Sequence, residues 1–93
     1  MESIIQSEKE CYVCKNTIGL HSHHIFFGTA NRKQSEKYGM KVYLCYWHHN
    51  GSNDAVHFNK TLDLHLKRIA QRYFEENIGD RELWMKEFGR NYL

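Results

Sequence analysis

Apolar residues along the chain fall into two short runs and one long periodic stripe. Leu20 to Phe27 carries Leu20, Ile25, Phe26 and Phe27, with His21 and His23 alternating on one face, and reads as a strand. Met40 to Cys45 reads as a second strand, with Val42 and Leu44 on one face and Tyr43 and Cys45 on the other. Gly28 to Gly39 reads as a turn region, so the two strands are expected to pair as an antiparallel hairpin with a long connecting loop. Further on, Leu62, Leu66, Ile69, Ala70 and Tyr73 recur at helical spacing and predict a long helix over about 55–77, with Asn53 or Asp54 as its cap. Gly79 is a natural stop. Asp80 then caps a short final helix that presents Leu83, Trp84 and Phe88 as core or partner-packing residues, and Gly89 ends it. Residues 1–10 show no clear period and read as a frayed lead-in, with Ile4 and Ile5 available for packing.

The pattern predicts an α+β chain, and at 93 residues it is expected to be a single domain, 1–93, with a core over 11–57 and a helical part over 55–93. A domain of this size buries a modest share of its surface and commonly needs a staple. Cysteine usage indicates which kind. Three cysteines cannot all pair, no apolar run suited to a signal peptide follows Met1, and no stretch approaches the roughly 20 apolar residues of a membrane span. The expected setting is therefore soluble, reducing and cytoplasmic, with no membrane partner, where a Cys-x2-Cys pair binds metal more often than it forms a disulfide.

Charge changes the picture once it is divided. The formal net charge is +2, but residues 11–74 hold nine basic side chains against three acidic ones, while both flanks are acidic. The positive region coincides with the cysteines and histidines, which is where a polyanion such as nucleic acid is attracted. Arg32, Lys33, Lys37 and Lys41, on and just after the hairpin connection, are the candidates for phosphate contact, which positions a backbone without reading sequence.

Six of the seven histidines fall between His21 and His57. A structural zinc takes four ligands and leaves no open position. Cys11, Cys14 and Cys45 supply three. His48 completes a Cys-x2-His knuckle matching the first, and His49 is the alternative as Cys-x3-His. The remaining histidines are free for a second, catalytic metal, and His24 is a credible general base for phosphodiester hydrolysis because imidazole titrates near neutral pH. His23, its neighbour on the strand, is expected to point to the opposite side. His21 and His65 receive no role.

The order Cys-x2-Cys, then His23-His24-Ile25, then Leu44-Cys45-x2-His48-His49 resembles the HNH superfamily of nucleases in its zinc-knuckle form, and is similar to the small phage recombination-type members, over about residues 11–57. The resemblance implies a ββα-metal fold and a DNA endonuclease. It implies His24 as general base, His23 and His49 as ligands of the catalytic metal, and a further ligand one helical turn on, at Asn53, with His57 competing for that role. A cage of His23, His49 and His57 favours manganese, nickel or zinc, whereas Asn53 with waters suits magnesium (Mg2+) better than Mn2+ or Ni2+. The family's middle asparagine, expected about five residues before the knuckle cysteine, is replaced here by Gly39-Met40-Lys41. A zinc-stabilised module that binds nucleic acid without cutting it is the alternative, and the apolar tail from Leu83 to Leu93 makes a homodimer conceivable.

Overall fold

The computed structural model describes residues 3–52 and 55–93, apart from the side chains of residues 29 and 30. Two strands, β1 (Leu20–His24) and β2 (Lys41–Cys45), pair antiparallel and are joined by helix α1 (Thr29–Tyr38). One turn of π-helix, Trp47–Gly51, follows β2, and the chain closes with α2 (Lys60–Asn77) and α3 (Arg81–Phe88). The architecture is α+β. Among the described residues no helix is long and apolar enough to cross a membrane.

The register pairs Leu20 with Cys45, His21 with Leu44, Ser22 with Tyr43, His23 with Val42 and His24 with Lys41. Directly opposed residues share a face, so His21 and His23 lie with the buried Val42 and Leu44, while Ser22 and His24 lie with Tyr43 and Lys41.

The strand connection is the first departure from expectation: a ten-residue helix occupies most of what reads as a loop. Arg32, Lys33, Gln34, Glu36 and Lys37 are good helix formers, and Gly39 takes the left-handed conformation (φ 68°) that terminates it. Its anchor is polar. The fully buried Ser35 hydroxyl donates to the Phe26 carbonyl (2.8 Å) and accepts from the Phe26 N–H (3.0 Å), satisfying the chain where it leaves β1. Gln34 reaches across to the Glu87 carbonyl and carboxylate on α3.

The long helix begins later than expected. Asn59 is its cap, accepting from the Thr61 and Leu62 amides at 3.1 Å, and Ala55 and Val56 are buried in a turn before it. Asn53 and Asp54, the expected caps, lie outside the described residues. Each i+4 step drifts about 40° around a helix of 3.6 residues per turn. The buried stripe accordingly runs through Leu66, Ala70 and Phe74 with Gln71, leaving Tyr73 exposed at its edge.

Trp84 anchors an aromatic core, stacked on Phe88 at 4.1 Å and edge-on to Phe26 and Phe74 at 5.3 Å. Its indole N–H donates to the Arg90 carbonyl, and the buried Gln71 holds both Asn91 and the Tyr92 amide. The aromatics of the tail thus pack within their own chain. The lead-in is also tied down, since the Ile4 amide donates to Gly39 and Gln6 accepts from the Tyr43 amide of β2.

Ser35→Ala is expected to strand the buried N–H and C=O of Phe26. The cost is about 1–3 kcal/mol. It should appear as a lower thermal midpoint in circular dichroism.

Candidate metal centres

Among the described residues, two clusters of side chains that could ligate a metal emerge from this frame. Cys11, Cys14, Cys45 and His48 form a Cys3His group whose ligand atoms all lie within 4.8 Å of one another, and it could hold a metal such as zinc. The separations fit. A tetrahedron with Zn–S near 2.3 Å and Zn–N near 2.0–2.1 Å has edges of about 3.8 Å between sulfurs and about 3.5 Å between sulfur and nitrogen. Cys14 Sγ and Cys45 Sγ are 3.7 Å apart, and His48 Nδ1 lies 3.7 Å from Cys11 Sγ and 3.3 Å from Cys45 Sγ.

Local backbone builds each half of this group. Between Cys11 and Asn16 the chain closes on itself, the Lys15 amide donating to the Cys11 carbonyl and the Cys11 amide to the Asn16 carbonyl, with Lys15 forced to φ 67°. The Tyr12 amide then latches this knuckle to the Tyr43 carbonyl of β2. Burial raises the Cys11 thiol, but main-chain hydrogen bonds at Cys14, Cys45 and Val13 outweigh that and bring it down to about 6, so the thiolate a metal needs is favoured.

The second cluster is His23, His49 and His57, again with ligand atoms within 4.8 Å. His49 Nε2 and His57 Nε2 are 3.2 Å apart, close to the roughly 3.3 Å edge expected for two nitrogens on one tetrahedral ion. His23 is 2% exposed, and its Nε2 is a buried atom with no hydrogen-bond partner among the described residues. An orphaned buried nitrogen carries a desolvation cost that a bound cation removes. Burial, aided by His49 and His57, pushes His23 down to about 3, and burial with His57 and His21 also lowers His49. The His23 ring is therefore neutral at pH 7, the form that ligates metal. The donor set fits a divalent transition metal.

The π turn serves both clusters. His48 and His49 are adjacent in it, yet one faces the cysteines and the other the histidines. Gly51 closes the turn because a Cβ there would lie 2.6 Å from the Tyr46 ring and 2.9 Å from the Tyr46 carbonyl. The chain then folds back, with the Val56 amide donating to the His48 carbonyl at 2.7 Å, which delivers His57 to His49.

His24, last residue of β1, turns away from this trio, and its Nε2 meets Glu36 Oε2 on α1 at 2.9 Å. An open cleft of about 670 Å³ is lined by His24, Phe27, Gly28, Arg32, Lys33 and Glu36. Phe27 connects the two sides of the strand, since its ring centroid is also 6.1 Å from His23 and 5.3 Å from His57. Of the basic residues expected at phosphate, Arg32 and Lys33 line the cleft, Lys37 lies over the Tyr38 ring, and Lys41 binds Glu36. Asn53 lies outside the described residues, and His65 is exposed on α2.

Two partners escaped the sequence reading. Glu36 is one, its only signal being a lone acid among basic neighbours. The other is His21, whose Nδ1 lies 2.8 Å from His49 Nδ1. With His49 Nε2 toward the trio, Nδ1–H is left to donate to His21, which fixes ring orientation and tautomer as outer partners of ligating histidines do.

His21→Ala is expected to weaken nickel binding at the histidine trio about 10–100-fold in calorimetry while leaving zinc content unchanged. Cys45→Ser should lose the zinc by elemental analysis and impair nickel binding as well, because the π turn depends on the first cluster. His49→Ala should abolish only the nickel isotherm.

No protein-family model, curated protein or solved structure matches the chain.

Proposed function

We propose that the chain is a metal-dependent DNA endonuclease of HNH type, built on a zinc-stapled ββα-metal core. The observation that carries this reading is the junction of a histidine trio, its buried member His23 with Nε2 unsatisfied, with a basic cleft that holds His24. Neither half alone points to hydrolysis. Together they supply a cation site, a proton acceptor and phosphate-binding side chains within one region.

In this reading Arg32 and Lys33 hold the phosphodiester backbone along the cleft, and Phe27 forms the wall between cleft and trio. His24 accepts a proton from water as the water oxygen bonds to phosphorus and the bond from phosphorus to the 3′ oxygen breaks. A divalent cation on His23, His49 and His57, when bound, supplies positive charge for the leaving 3′ oxygen. His48 and the three cysteines hold structural Zn2+ and take no part in the chemistry. Three imidazoles favour Mn2+ or Ni2+ over Mg2+ in the catalytic position.

Plasmid cleavage by the wild type and by His24→Ala, each with Mg2+, Mn2+, Ni2+ or no added metal, tests the proposal. Wild type should cut, with Mn2+ or Ni2+ ahead of Mg2+. His24→Ala should lose about 10²-fold or more in rate with zinc content unchanged. Failure to cut under every metal, with zinc present and DNA bound in a salt-sensitive way, would replace this reading with that of a zinc-stabilised nucleic-acid-binding module.

A further inference from the structure

We propose that Glu36 is a positioning residue for His24, holding the proton of the neutral imidazole on Nε2 so that Nδ1 is the basic nitrogen. This rests on the nuclease reading for its catalytic consequence, though not for its geometry.

The arrangement follows from sheet register and the unexpected helix. β1 and β2 set His24 directly opposite Lys41, so both side chains leave the same face. Helix α1 carries Glu36 to that face, where Glu36 Oε2 meets His24 Nε2 at 2.9 Å and Lys41 Nζ meets both carboxylate oxygens at 3.1 Å. An ionised carboxylate can only accept, so the imidazole nitrogen facing it must carry hydrogen, and in a neutral ring the other nitrogen then keeps the lone pair. Lys41 fixes the acceptor in turn.

The His24 and Lys41 side chains are only 17% and 19% exposed, so they reach from partly buried positions to a Glu36 carboxylate that is itself 45% exposed. Glu36 also lines the cleft beside Arg32 and Lys33. A negative group in the wall of a polyanion site opposes binding, so removing its charge is not expected to weaken the hold on substrate. The effect is expected in turnover, not in affinity.

Glu36→Gln keeps the shape and removes the charge. With Mn2+, kcat for DNA cleavage should fall about 10–100-fold, a part of the 10²–10⁴-fold that a general base contributes, while KM stays level or drops. Unchanged kcat, or a rise in KM that accounts for the whole loss, overturns the proposal. A second readout needs no catalysis. Long-range ¹H–¹⁵N correlation of the histidine rings in the wild type, with the His24 signals identified by their absence in His24→Ala, should locate the His24 proton on Nε2 and hydrogen-bonded. The Hε2 resonance should move upfield in Glu36→Gln. A proton on Nδ1 in the wild type, or an Hε2 unaffected by the substitution, overturns the proposal even where cleavage is lost. Absence of wild-type cleavage with these spectra as expected overturns the nuclease reading and leaves the hold of Glu36 on His24 standing.

Discussion

Convergence of four soft donors on one point is the constraint from which the rest follows. Cys11 and His48 are 37 positions apart, yet their ligand atoms are 3.7 Å from each other. Closing a loop of that length costs chain entropy, which a bound cation joining the four donors would offset. Metal binding in such a site is folding free energy. Here it bears on a two-stranded sheet, which on its own is marginal in water. The knuckle also orders its surroundings through the Tyr12 to Tyr43 hydrogen bond, which ties it to the strand that carries Cys45.

Strand alternation then divides the histidines. The period of two sends His23 inward to His49 and His57 and His24 outward to α1, so adjacent residues of one strand serve different surroundings. The buried ring of His23 lies among other imidazoles, while the less buried ring of His24 meets a carboxylate, and Phe27 touches on both surroundings.

What could be read from sequence tracks how local its cause is. The strands announced themselves through alternation around Val42 and Leu44, and α3 through Asp80, Trp84 and Gly89. Cysteine spacing exposed the first cluster, because two sulfurs two residues apart can point at one ion. Both spacings reach, but the symmetry of the two knuckles favours His48 over His49, and the π turn places them so, His48 with the cysteines and His49 with His23 and His57. Helix α1 was hidden because it buries a serine rather than an apolar stripe, so the hydrophobic period that betrays a helix is missing. With α1 unseen, Glu36 had no geometry, and its pairing with His24 could not be inferred. The expected stripe names Tyr73, whereas the buried line of α2 runs in steps of four through Leu66, Ala70 and Phe74.

The π turn carries one more implication, concerning how such a chain can vary. Some substitutions, such as those at His23 or His57, can alter one cluster alone, since each draws other members from other segments. Length cannot. A residue inserted or deleted between Cys45 and His48 re-phases both adjacent histidines at once, displacing a donor at each cluster together. The spacing of this turn is therefore a single shared parameter of two chemically distinct clusters, even though Tyr46 and Trp47 at its start are exposed.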